Sequence, residues 1–261
     1  MKMGKQRQGH TVVLDGVRIS PISWRQTVDH VMTELDAGRG GLLLTANVDI
    51  MYQLSQPESG DLADKANVVV ADGMPLVWAS HLQGTPLPER VTGADLVWHL
   101  SEEAAVQGRR VFLLGAGPGV AERAGAEFVR QNPGLQIVGT DCPPEGFESD
   151  EQYMTGLLDR LQAAAPDLVF VALGFPKQER VALQLLEHLP KTWFMGCGGA
   201  LDMAAGEVPR AHPVLQDIGA EWLHRLFQEP RRLARRYLVD DVPYALRLVS
   251  SAAIGRLKRS R

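Results

Sequence analysis

The stretch RVFLLGAGPGVAERAGAEFVRQ, residues 110–131, joins an apolar run of strand length to an amphipathic helical pattern through Gly115-Ala116-Gly117-Pro118-Gly119. A run that is apolar throughout is buried on both faces of a sheet, and a helix entered through a tight turn must return across one of those faces. That is half of a parallel crossover. The same alternation extends outward in both directions. Further apolar runs occupy residues 41–45, 67–71, 135–139, 167–173 and 192–195, and helical patterns occupy 151–164 and 177–189. The chain is therefore predicted to be α/β, a Rossmann-like, mostly parallel sheet with helices on both faces. Ahead of the sheet, residues 12–19 read as a β-hairpin, because Asp15-Gly16 supplies the positive φ angles of a two-residue turn. Ser23 and Gln26 have the spacing of a capping box, and Gly38 is placed to end the helix that they start.

Beyond residue 218 the strands stop. Residues 219–228 are amphipathic, and Pro230 and Pro243 each stand where a first helical turn would begin, which predicts two or three short basic helices. Leu246, Val249, Ala253 and Leu257 share one helical face, flanked by Arg247, Arg256, Lys258 and Arg259. We expect a body over residues 1–218 and a helical appendage over 219–261. Charge divides along the same line. Residues 221–261 hold ten Lys/Arg against four Asp/Glu, although the whole chain of 261 residues carries a formal charge of −4. A basic tail on an acidic body suits an anionic partner: a phospholipid surface, a diphosphate or nucleic acid.

Other classes are set aside on composition. No apolar run approaches the ~20 residues of a membrane-spanning helix, and residues 1–10 lack the pattern of a secretory signal. The two cysteines, Cys142 and Cys197, match no metal-ligand spacing and are expected to be free thiols.

Ligands of an open parallel sheet bind beyond the carboxyl ends of its strands, so the residues just after each apolar run are the candidates. Thr45 and Asn47 follow the first run; they suit hydrogen bonds to a sugar hydroxyl, and Asn47 equally suits capping the next helix. Asp72, before Gly73, would place a carboxylate at the rim, fit to take a proton from an attacking hydroxyl or to cap the helix near Pro75. Gly115 and Gly117 allow backbone amides to approach a phosphate. Val120 stands where a dinucleotide fingerprint needs its third glycine, so a nicotinamide cofactor is poorly supported and Asp141 is read as a decoy for a ribose-binding acid. Gly174, Lys177, Gln178 and Glu179 follow the fifth run. Gly198, Gly199 and Asp202 follow the sixth, leading on to Arg210.

The series Asp72-Gly-Met-Pro75, Gly174-Phe-Pro-Lys-Gln-Glu179, Gly196-x-Gly-Gly-Ala-x-Asp202, Pro209-Arg-Ala211, Glu221-Trp-Leu-x-Arg-Leu226 and Glu229-Pro-Arg-Arg232 resembles the WecG/TagA/CpsF family of bacterial glycosyltransferases, glycosyltransferase family 26. The resemblance runs from the hairpin to about residue 239. It implies an inverting, metal-independent transfer with no cofactor. The donor would be a UDP-sugar, often of N-acetylmannosamine type, and the acceptor an undecaprenyl-diphosphate-linked saccharide in cell-surface polysaccharide or teichoic acid synthesis. It further implies Asp72 as the base and Thr45 and Asn47 at the acceptor. From their place after the strands, the glycine turns with Lys177, Gln178, Glu179 and Asp202 are expected at the donor. Arg210, Arg225, Arg232 and Arg235 would face the diphosphate. The appendage would rest on the inner face of the plasma membrane, making the protein cytoplasmic and peripheral; a homo-oligomer is compatible. The residues agree independently at two points: no Asp-x-Asp pair occurs, so arginines would carry the leaving-group charge, and the basic tail is where those arginines are. The competing readings are a non-catalytic nucleotide-sugar-binding scaffold and a nucleotide-dependent oxidoreductase. Nucleic acid is disfavoured, because the basic residues have few stacking aromatics among them.

Overall fold

The structure is a computed structural model that describes residues 11–212, 226 and 235–259. Strands β1 (Val12–Leu14) and β2 (Val17–Ile19) form the expected hairpin, turning through Asp15 at φ 47° and Gly16 at φ 84°. Helix α1 (Trp24–Asp36) starts with the expected reciprocal capping box of Ser23 and Gln26.

The main sheet follows. Its strands are β3 (Gly41–Ala46), β4 (Val68–Ala71), β5 (Arg110–Gly115), β6 (Gln136–Asp141), β7 (Leu168–Ala172) and β8 (Trp193–Gly196). Between them lie α2 (Val48–Leu54), α3 (Leu62–Lys65), α4 (Met74–Gln83), α5 (Gly93–Gln107), α6 (Val120–Gln131), α7 (Glu151–Ala164) and α8 (Lys177–His188), and α9 (Ala200–Ala204) follows β8. The six strands are all parallel, in the order β4-β3-β8-β7-β5-β6. β6 begins and ends later than its apolar run suggests. It is an edge strand, and its register slips between Val111 and Phe112, where the Phe112 ring lies against Gly139.

Side chains alternate between two helical layers, as strand geometry requires. Leu43, Val70, Leu113, Phe170 and Met195 point to one layer, where they meet Val31 of α1, Val97 of α5, Phe128 of α6 and Leu201 of α9. Leu42, Phe112, Val169 and Phe194 point to the other, against Leu157 of α7 and Leu185 of α8. Leu44 and Val69 extend that second face beneath α2, α4 and the hairpin. Two pairs of neighbouring strands send their connections apart. β5 leads outward to β6 while β7 leads back to β8; β3 leads to α2 on one face while β8 leads to α9 on the other. Such divergence opens crevices at the carboxyl ends.

At the C-terminus a π-helical turn, Arg236–Asp241, runs straight into α10 (Val242–Arg259). Pro243 therefore does not open a separate helix. It sits just past the π-turn, where the widened backbone tolerates a missing N–H donor. The predicted apolar face packs only in part, with Val249 half-buried against the same core as the residues beside it. Tyr244, Leu248 and Ala252 are buried with α2, α4 and the hairpin, whereas Leu246 is 67% exposed. Among the described residues no helix is long and apolar enough to cross a membrane.

Candidate active site

β3, at the centre of one crevice, ends in Thr45 and Ala46. The Thr45 hydroxyl donates to the carbonyl of Gly196 at 3.3 Å, tying β3 to the end of β8. Thr45 is only 6% exposed, and Gly93 packs so closely that a Cβ there would stand 3.0 Å from Thr45 Oγ1. Asn47 takes up the capping role: its Oδ1 accepts the backbone N–H of Ile50 at 2.9 Å. The cap leaves Asn47 Nδ2 for other use.

Asp72 does not cap α4. The N-cap of that helix is Gly73, without a side-chain hydrogen bond. Asp72 is instead held from two sides: its backbone N–H donates to Ala46 O at 2.8 Å, and its Oδ2 accepts the N–H of Gly93 at 3.0 Å. Gly93 is the first residue of α5, so the carboxylate faces the positive end of a helix dipole. It lies partly exposed at the rim, one strand over from Thr45 and Asn47. Thr92 caps α5, and Asp95 in its first turn pairs with Arg210 at 2.6 Å. Asp72, Asp95 and Arg210 thus gather at one helix start. Sequence reasoning passed over Asp95 and Arg90. Val91 N–H bonds Ala71 O at 2.8 Å, which lays Arg90 alongside the end of β4. The segment before it, Gly84-Thr-Pro-Leu-Pro-Glu89, follows a helix and no apolar run of strand length, so it reads as a plain surface loop.

The glycine turns line the rest of the rim. Gly115 adopts φ 105°, and a Cβ there would stand 2.6 Å from Ala172 O. Ala116 is also left-handed, at φ 60°, and donates its N–H to Ala172 O at 2.8 Å. Space beside Gly117 is limited only by Val120, 3.5 Å from a built Cβ, and Gly119 caps α6 with no side chain. Gly174 and Gly198 are left-handed, with no atom of the described residues within 4 Å of a built Cβ, and Gly199 opens α9, with Asp202 in its first turn.

The polar run at the start of α8 divides. Lys177 pairs with Glu148 at 3.0 Å. Gln178 and Glu179 are buried behind the β8 turn, at 3% and 0% exposure, and contact each other and the turn from beneath. Burial pushes the Glu179 carboxyl up to about 7, against hydrogen bonds from Gln178 and the backbone that lower it. Asp141, read as a decoy, is occupied structurally by the Tyr153 hydroxyl at 2.6 Å and Arg160 Nε at 2.8 Å.

Of the expected diphosphate arginines, Arg225 and Arg232 lie outside the described residues. Arg235 is exposed, directly before the π-turn. Its neighbour Arg236 pairs with Asp49 of α2 at 2.8 Å, joining the C-terminal segment to the helix that follows the β3 end.

A parallel sheet whose polar and glycine-rich residues gather at the carboxyl ends, around a carboxylate held by a helix N-terminus, is the architecture of an α/β enzyme with a ligand crevice at its switch points. The chain belongs to the glycosyl transferase WecG/TagA/CpsF family, matched over residues 12–258, and is a glycosyltransferase. It is similar to an N-acetylglucosaminyldiphosphoundecaprenol N-acetyl-β-D-mannosaminyltransferase of Bacillus spizizenii, with 33% identity over 210 residues covering 80% of this chain and 79% of that one.

Proposed function

We propose that the protein transfers an N-acetylmannosamine-type sugar from a UDP-sugar to an undecaprenyl-diphosphate-linked saccharide, with inversion and without a metal. The observation that carries this reading is the placement of Asp72: a rim carboxylate fixed by Gly93 N–H at 3.0 Å, beside the strand that ends in Thr45 and Asn47. An acceptor hydroxyl in that crevice attacks the anomeric carbon, its proton passes to Asp72, and the bond from that carbon to the diphosphate oxygen breaks to release UDP. Thr45 and Asn47 orient the acceptor; the turns at Gly115, Gly117, Gly174, Gly198 and Gly199, with Asp202, receive the donor. Arg210, Arg225, Arg232 and Arg235 face the departing diphosphate, whose charge a guanidinium is suited to meet. The similar Bacillus protein is named for a β-D-mannosaminyl product. UDP-sugars of this type are α-linked, so a β product means inversion.

The C-terminal segment suits a peripheral place on the anionic inner leaflet. Leu238, Val239 and Leu246 are 59%, 61% and 67% exposed; Arg235 precedes the first two, which Asp240 and Asp241 follow, and Arg247 adjoins the third. Apolar side chains in the headgroup layer with arginines beside them are the pattern of an interfacial helix.

The test is UDP release across a panel of UDP-sugars, with a short-chain prenyl-diphosphate-GlcNAc acceptor and EDTA present. Acceptor-dependent release with an N-acetylmannosamine donor is the expected result. UDP binding with no release from any donor would favour the scaffold.

A further inference from the structure

Two polar side chains near the proposed donor turn are buried where a solvated helix start would be expected. Gln178 is 3% exposed and Glu179 0%. Gln178 Nε2 donates to Glu179 Oε1 at 2.8 Å, and the Gly198 N–H donates to Gln178 Oε1 at 3.2 Å. The amide is thereby held in one sense, its NH2 towards the carboxylate and its carbonyl towards the turn. Reversed, it would set oxygen against carboxylate oxygen and NH2 against a backbone N–H, two contacts between like groups. Gly196 presses on both residues: a Cβ there would stand 2.4 Å from Gln178 Nε2 and from Glu179 Oε1. Glu179 Oε2 is buried and has no hydrogen-bond partner among the described residues. A carboxylate kept dry with one oxygen unpaired costs stability, and an apolar side chain of similar size would pack without that cost. Something other than packing is served by it.

We propose that Glu179 is a positioning residue that orients the Gln178 amide, through it the Gly198 amide and the turn at residues 196–199, and so sets affinity for the nucleotide diphosphate of the donor. This rests on the reading of that turn as donor-binding. Glu179 does not touch the donor itself.

The relay depends on charge. An ionised Glu179 only accepts hydrogen bonds, so it admits one orientation of the amide. A protonated carboxyl carries a donor of its own and suits either orientation. The groups facing it are the Gln178 amide and its own backbone N–H, with Cys197 across the turn and Asp202 beside Cys197. Burial, reinforced by Asp202 and Glu179, pushes the Cys197 thiol up, so it stays neutral throughout the working range. With the Glu179 carboxyl pushed up to about 7, the relay tightens as pH rises through neutrality.

The experiment is calorimetric titration of UDP into wild type and Glu179→Gln from pH 5.5 to 8.5, with melting temperatures measured in parallel. Ionisation of the UDP phosphate is common to both proteins and cancels in the ratio of their Kd values. We expect the variant to bind about three- to tenfold more weakly at pH 8.5, the worth of one oriented hydrogen bond, and equally at pH 5.5. A ratio that is flat across pH, or one throughout, overturns the proposal, whatever the melting temperatures do. Gln178→Met removes the amide but keeps its length, and should show the same pH-dependent ratio; it carries the test if Glu179→Gln does not fold. Wild type that fails to bind UDP at any pH would instead overturn the donor reading on which the proposal rests.

Discussion

Gly115 shows how little room the rim allows. A Cβ there meets Ala172 O at 2.6 Å on a backbone at φ 105°. Gly115→Ala should cost at least about 2 kcal/mol, combining overpacking with left-handed strain, and lower Tm by roughly 5 °C or more in a chain of this size. Gly117→Ala, where a Cβ meets only Val120 at 3.5 Å, should be tolerated in a thermal melt. The glycine turn was legible in the sequence, because punctuation between an apolar run and a helix has a local cause. The burial of Gln178 and Glu179 was not: Lys-Gln-Glu at a helix start reads as solvated, and only the distant Gly196, by yielding its volume, lets them turn inward. Their cost has a sign. Glu179 is raised to about 7 from the ordinary 4.5, so the folded state holds a proton that the unfolded state has lost between these values. Stability therefore falls as pH rises from about 4.5 to 7. Glu179→Gln should match wild type in Tm near pH 4.5 and exceed it at pH 8.

Between elements, the joint of α2 with the C-terminal π-turn has a titration of its own. Arg236 meets Asp49 at 2.8 Å and Asp241 at 3.7 Å, so one guanidinium serves two carboxylates. Burial, with the charge of Asp49 added, pushes Asp241 up to about 7 from 3.8; burial also raises Asp49. The sign matches that of Glu179: the contact is tightest when Asp241 is protonated and loosens as pH rises from about 4 to 7. Amide exchange in residues 236–241, corrected for intrinsic rate, should be faster at pH 8 than at pH 5.5, and Asp241→Asn should remove the difference. The sheet, with α6, α7 and α8, was readable from the period of its apolar residues, whereas α5 (Gly93–Gln107) was not. The packing of α10 was not, since that helix carries two apolar stripes. Val242, Leu246, Val249 and Ala253 make one, and Tyr244, Leu248 and Ala252 make the other. Periodicity alone cannot say which the body covers. The hairpin decides it: Tyr244 donates its hydroxyl to Asp15 Oδ2 at 2.7 Å, a contact made across most of the chain length.

At the scale of the molecule, that choice leaves Val242 and Leu246 of the first stripe outward, and Leu238 and Val239 before them are exposed as well. Changing Leu238 and Leu246 together to Asp should lower sedimentation with anionic-lipid vesicles about tenfold or more, since each substitution removes roughly 1.5–3 kcal/mol of apolar burial, while UDP binding is unchanged. Unaltered sedimentation would place the membrane contact elsewhere. The body and the C-terminal segment meet at α2 and α4, the helices that directly follow Asn47 and Asp72, so the surface proposed for the lipid and the carboxylate proposed for the chemistry share the same elements. The role of that carboxylate as the base decides the proposed mechanism. It is tested most directly by measuring sugar transfer and UDP binding side by side in Asp72→Asn, which keeps the shape of the side chain and replaces its basic oxygen. Turnover should fall by about 10²–10⁴-fold, the usual worth of a positioned base, with UDP affinity within about twofold of wild type. Turnover near the wild-type rate would contradict that role.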